Sequence, residues 1–126
     1  MLAVRGLHAY RGRAHILADV DLDVVAGEVV VLLGRNGAGK STTLESLIGL
    51  VPPAAGTVTF RGHPIAGLSA WRIARLGLGF VPEDRRIFGE LTVRENLEVG
   101  RQPARAGLAP WDWTRLCALF PNLAAM

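Results

Sequence analysis

Apolar and polar positions alternate at the front of the chain and fall at helical spacing towards its end. "LAVRGLHAY" (2–10) alternates loosely and predicts a first strand. "ILADVDLDVVAGE" (16–28) alternates more cleanly. Val20, Leu22 and Val24 share one face and Asp19, Asp21 and Asp23 the other, which predicts a half-exposed antiparallel strand ending in a turn at 26–28. "VVVLL" (29–33) is apolar on both faces, as a buried parallel strand is. In "KSTTLESLIGL" (40–50), Leu44, Leu47 and Ile48 repeat at helical spacing, and Gly49 can end the helix.

After a loop with two prolines, "TVTFRG" (57–62) predicts a short strand and "LSAWRIARLG" (68–77) a helix. "LGFVPED" (78–84) reads as a short apolar strand stopped by Pro82. "LTVRENLEVG" (91–100) predicts a helix whose Thr92 and Glu95 fit a capping box. "PWDWTRLCALF" (110–120) predicts a last helix, broken by "PNLAAM". There is no internal repeat and no low-complexity tract. Early strands and late helices give an α/β class.

Composition narrows the setting. Half of the 126 residues are apolar, 20% are charged, and the formal net charge is +3. That is enough apolar material for a core and too few charges for a disordered chain. The charge suits phosphate or an acidic surface and does not demand nucleic acid, so no nucleic-acid partner is expected. The scattered arginines, Arg5, Arg11 and Arg13 among them, read as a solvated surface. His8, His15 and His63 read as surface or half-buried histidines. The single cysteine, Cys117, sits among apolar residues and reads as a packed thiol. The N-terminus carries charges too early for a signal peptide, and the longest wholly apolar run is far below membrane-spanning length. A soluble protein is expected.

The chemistry lies in "GRNGAGKST". Gly34, Gly39, Lys40 and Ser41 satisfy G-x-x-x-x-G-K-[ST], a chance match on the order of one in a thousand for a chain this long. Glycines let successive N–H groups curl towards phosphate oxygens, and the following helix adds its positive end. Lys40 supplies a mobile charge to the β- and γ-phosphates. Ser41 offers a hydroxyl to Mg²⁺, and Thr42 can reach the α-phosphate. The loop alone leaves kinases, GTPases and transport ATPases open.

The order of an aromatic residue, "GE", "GRNGAGKST", "VPED" and "LTVRENL" resembles the ATP-binding subunit of an ABC transporter. The stretch "VPEDRRIFGELTVRENLEVG" is similar to the branched-chain amino acid importers, with Asp84 where glycine is common there. "GRNG" and "HIL" also resemble the related urea importer subunits. The resemblance runs from Leu2 to about Leu123. It implies the P-loop NTPase core of an ABC nucleotide-binding domain with N-terminal antiparallel strands.

By that resemblance Tyr10 stacks on adenine. Gly34, Asn36, Gly37, Gly39, Lys40, Ser41 and Thr42 hold phosphate and Mg²⁺. Glu83 stands where a glutamine usually meets the metal and the attacking water, and it takes the catalytic and metal role. The implied ligands are ATP and Mg²⁺. The implied partners are membrane permease subunits, touched near the segment Arg85 to Asn96, and a second ATP-binding subunit. The implied location is the cytoplasmic face of the plasma membrane.

Three of the family's elements are missing from the sequence, one of them a late histidine that senses the γ-phosphate. There is no apolar strand ending in Asp-Glu after the loop, and "LSAW" (68–71) shares only two residues with the "LSGGQ" signature. Residues 1–126 therefore read as the N-terminal part of such a domain, incomplete at its C-terminal end, binding Mg-ATP without the hydrolytic half. Two other readings stand beside it: a non-catalytic nucleotide-binding fragment, and a small P-loop kinase or NTPase.

Overall fold

The computed structural model describes residues 1–84 and 86–126, in two compact units, Met1–Val81 and Pro82–Met126. The first unit is built on a four-stranded antiparallel sheet. Its strands are β1 (Leu2–Arg11), β2 (Ala14–Val24), β3 (Ala55–Phe60) and β4 (His63–Pro64), in the order β2-β1-β3-β4. β1 and β2 meet through the two-residue turn Gly12-Arg13. Gly12 has φ 59°, the positive angle that the favoured hairpin turns require.

The loose alternation of β1 has a structural cause. Leu2 and Val4 face the core, and so do Leu7 and Ala9, so the period of two slips by one residue between them. The pairing register shifts at the same place, between Val4 and Leu7, and Gly6 has φ 54°. This is a β-bulge. Asp21 secures it, its carboxylate accepting from the Gly6 N–H at 2.8 Å. β2 behaves as expected, with Val20, Leu22 and Val24 half-buried and Asp19, Asp21 and Asp23 exposed.

One face of the sheet buries Val4, Leu7, Leu17, Val58 and Phe60 with Leu47 of the first helix, Val51 of the loop after it, Ile65 and Ile73. Helix α1 (Lys40–Leu47) ends in a Schellman motif. Gly49 N–H donates to Ser46 C=O at 3.3 Å and Leu50 N–H to Glu45 C=O at 2.9 Å, with Gly49 at φ 79°. Helix α2 (Ala70–Arg75) buries only Ile73, while Trp71 lies exposed beneath the guanidinium groups of Arg72 and Arg75.

Two expected strands do not form. Residues 29–33 make no ladder, and Val29 and Leu33 are 89% and 90% exposed. Residues 78–84 make none either. A run apolar on both faces becomes a strand only with neighbours to pair its N–H and C=O groups and cover both faces. Among the described residues no strand lies beside either segment.

The second unit carries α3 (Val93–Val99), α4 (Trp113–Leu119) and a 3-10 turn at Pro121–Ala125. The capping box forms as expected: Thr92 Oγ1 accepts from Glu95 N–H, and the Glu95 carboxylate accepts from Thr92 N–H at 2.8 Å. Asn96 ties the preceding loop to α3. Its Oδ1 accepts from Phe88 N–H at 2.8 Å, and its Nδ2 donates to the carbonyls of Phe88, Leu91 and Thr92 at 3.0–3.1 Å. Asp112 caps α4 through Arg115 N–H, and Cys117 is half-buried on that helix. No described residue of this unit is fully buried.

Candidate functional site

The glycine loop begins as an open turn and ends as a helix start. Ala38 N–H donates to Arg35 C=O at 3.1 Å, closing a tight turn with Gly37 at its third position at φ 83°. A turn of this kind needs a residue that tolerates positive φ there, and glycine does so without strain. Gly39 follows at φ 95° as the residue before α1. A Cβ on it would lie 2.9 Å from Leu17 Cδ2 and 3.4 Å from Ile16 C=O. The absent side chain thus lets the loop seat on β2, and Gly39 is buried there.

The first bond within this helix runs from Thr43 N–H to Gly39 C=O at 2.8 Å. The amides of Lys40, Ser41 and Thr42 precede it and carry the unpaired donors of a helix start. No side chain caps that end, and no acidic residue stands in the first turn. The N-terminus of α1 therefore keeps its positive end uncompensated, the condition for holding an anion. The Lys40 ammonium donates to the carbonyls of Gly34 at 2.6 Å and Arg35 at 2.9 Å, which draws it back over the loop. Gly34, Asn36, Gly37 and Ser41 are exposed, and Lys40 is half-buried.

Tyr10 lies at the end of β1, opposite His15 of β2, and is 47% exposed. Its ring stacks on His15, and His15 stacks in turn on His8. Thr42 lies in the first turn of α1, in the same unit. Glu83 is an exposed turn residue of the second unit. Of the segment Arg85 to Asn96, Arg85 lies outside the described residues. The rest holds the loop that Asn96 fastens and the first turn of α3.

Sequence reasoning missed Arg11. It is exposed, as expected of a surface arginine, but it also donates from Nε to Thr42 Oγ1 at 3.2 Å and forms an ion pair with Glu45. A signal was present, since Thr42 and Glu45 stand three residues apart and so share one face of α1. Arg5 is exposed too, and its contacts stay within the sheet. It forks onto the Asp23 carboxylate at 2.7 and 2.8 Å, which holds its pKa above the usual value. Among the described residues no cluster of three metal-ligating side chains occurs, and no helix is long and apolar enough to cross a membrane.

A family model described as "ABC transporter" matches residues 17–124. The "High-affinity branched-chain amino acid transport ATP-binding protein BraG" of Pseudomonas aeruginosa is 43% identical over 100 residues, covering 79% of this chain and 43% of that protein. The "Lipopolysaccharide export system ATP-binding protein LptB" of Escherichia coli is 44% identical over 89 residues, 71% of this chain and 36% of its own length. The "Ribose import ATP-binding protein RbsA 1" of Rubrobacter xylanophilus is 39% identical over 108 residues, 86% of this chain and 22% of its own length. The chain thus spans less than half the length of these relatives.

Among solved structures, an "ATP binding subunit of ABC transporter" superposes with a TM-score of 0.69 at 35% identity, over 79% of this chain and 40% of that one. A dimeric post-hydrolysis state of the cassette MJ0796, bound to ADP and Pi, gives 0.69 at 26% identity, over 85% of this chain and 51% of that one. These likenesses carry the α/β fold of the ABC cassettes. The chain belongs to the ABC transporter family.

Proposed function

We propose that this chain is the nucleotide-holding part of the energy-coupling subunit of an ABC importer, binding Mg-ATP. The observation that carries the reading is the uncapped start of α1, reached through the left-handed Gly37 and Gly39, with the Lys40 ammonium held over the loop. Backbone donors, a helix positive end and a mobile cation converge within one short stretch, the combination a polyphosphate requires.

The types of donor suit the metal as well. Ser41 is an exposed hydroxyl in the first turn of α1, and Glu83 is an exposed carboxylate, both hard oxygen donors suited to Mg²⁺. Ser41 would hold the ion beside the phosphates; the role of Glu83, contact with the ion or with the attacking water, rests on the family resemblance alone. When bound, Mg²⁺ neutralises charge on the β- and γ-phosphate oxygens. Gly34, Asn36, Gly37, Gly39 and Thr42 supply the remaining phosphate contacts, and Tyr10 offers a flat face to adenine. Hydrolysis needs a carboxylate at the end of a further apolar strand, so the 126-residue chain holds nucleotide without turning it over.

Branched-chain amino acid uptake is the specific role we assign, on the likeness of "VPEDRRIFGELTVRENLEVG" to that importer family and of the chain to BraG. Relatives named for ribose import and lipopolysaccharide export match it at similar identity, so the solute is the finer part of the proposal. The partners would be membrane permease subunits and a second ATP-binding subunit, at the cytoplasmic face of the membrane. Calorimetric titration of the purified chain with Mg-ATP tests the core of this reading. Binding that disappears in Lys40→Ala, with no phosphate released, is the expected result. A chain that does not bind Mg-ATP, or a Lys40→Ala variant that binds it equally well, would end the proposal.

A further inference from the structure

We propose that Arg11 is a positioning residue for nucleotide binding, acting through the hydroxyl of Thr42; this rests on the ATP-binding reading above. Thr42 and Thr43 are neighbours on α1 with opposite hydrogen-bond roles. Thr43 Oγ1 donates to Gly39 C=O at 2.9 Å, the ordinary back-bond of a helical threonine. Thr42 Oγ1 accepts instead, from Arg11 Nε at 3.2 Å.

A hydroxyl carries one proton, and a guanidinium cannot take it, because all its nitrogens are donors. The Thr42 proton therefore points away from Arg11. Among the described residues nothing accepts it, although Thr42 is only 6% exposed. A buried donor without an acceptor is costly, so the site is built to receive an acceptor from outside. Thr42 lies in the first turn of α1, beside amides that already favour an anion. A phosphate oxygen of the bound nucleotide, at the α-position, is the acceptor that fits.

Glu45 keeps this arrangement in place. Its carboxylate pairs with the Arg11 guanidinium from the same helix that bears Thr42. Arg11 is thereby joined to α1 at two points, Thr42 and Glu45. Its charge polarises the hydroxyl and strengthens it as a donor. Arg11 also follows Tyr10 directly in β1, so a single strand end carries the ring offered to the base and the cation that prepares the α-phosphate contact.

The test is calorimetry of the whole chain with Mg-ATP and with Mg-ATPαS, in which sulfur replaces an α-phosphate oxygen. Arg11→Ala and Thr42→Val are each expected to weaken Mg-ATP roughly tenfold, the size of one charge-assisted hydrogen bond, and the double variant no further than either alone. The wild-type chain should bind ATPαS more weakly than ATP, and both single variants should lose that discrimination. A merely structural arginine would leave the sulfur effect intact. Thr42→Ser keeps a hydroxyl and should bind like wild type, which provides a test even if Arg11→Ala does not fold.

Multiplying losses in the double variant, an unchanged sulfur effect in Arg11→Ala, or equal losses in Thr42→Ser and Thr42→Val would overturn the proposal. If Lys40→Ala abolishes binding while Arg11→Ala leaves it unchanged, only the role of Arg11 falls. If the wild-type chain does not bind Mg-ATP, both readings fall.

Discussion

The rings of Tyr10 and His15 lie 4.4 Å apart, centroid to centroid, and 10° from parallel. They face each other across the β1–β2 hairpin, where the two residues are register partners. One face of the tyrosine is thus occupied by the imidazole, which leaves the opposite face for the proposed stacking on a base. Tyr10→Ala should weaken Mg-ATP by roughly 1–3 kcal/mol, while Tyr10→Trp should keep the affinity. His15→Ala, which removes the supporting ring, should cost less than Tyr10→Ala. Calorimetric titration of the three variants checks this; equal losses for Tyr10→Ala and Tyr10→Trp would mean the ring packs the protein rather than the base.

Gly49 should tolerate no side chain. It is left-handed, and a Cβ there would come within 2.7 Å of Leu68 C=O and 3.1 Å of Ile73 Cδ1. Gly67 has a similar φ of 78°, but its Cβ would meet nothing within 4 Å. Gly67→Ala should therefore cost only the backbone strain, about 1 kcal/mol, and Gly49→Ala about 2–3 kcal/mol. Urea unfolding of the two variants measures the difference, and equal midpoints would contradict it.

The capping box of α3 should titrate. The Glu95 carboxyl is held below its ordinary pKa near 4.5, first by the Thr92 backbone N–H and then by the Thr92 hydroxyl. A depressed folded-state value means that the unfolded chain binds the proton more tightly. The stabilisation of α3 is thus complete above about pH 4.5 and is lost as the pH falls through the lower folded value. Exchange of the Thr92 amide should accelerate over that acid window relative to amides elsewhere. Glu95→Gln, which keeps an acceptor without a charge, should not show the step.

Ser46 is a small defect in the core. Its hydroxyl is buried on α1 with no hydrogen-bond partner among the described residues. Replacing it by alanine removes an unsatisfied polar group and improves helix propensity. Ser46→Ala should raise the stability of the chain by about 1 kcal/mol, read as a higher melting temperature. A loss would show that the hydroxyl has a partner in solution.

What the sequence by itself determined is what neighbouring residues decide among themselves. The glycine loop, the capping box of Thr92 and Glu95, the stop at Gly49 and the polar face of β2 are legible because each is settled among residues close together in the chain. Local hydrogen bonds and a period of two or 3.6 are enough to write them. The bulge in β1 was visible only as an irregular alternation, and the structure gave it a cause in Gly6 and Asp21.

The tertiary structure alone decided what depends on distant partners. Residues 29–33 have the composition of a buried strand, yet a strand exists only where another backbone lies alongside it. The contact of Arg11 with Thr42 spans 31 positions of chain; the shared face of Thr42 and Glu45 hints at a partner, but nothing beside Arg11 in the sequence names it as that partner. The stacking of Tyr10 on His15 likewise follows from the hairpin register rather than from either residue. Chain entropy separates the two kinds of feature. Local contacts form with little loop to close, whereas long-range ones form only once the sheet has brought their residues together.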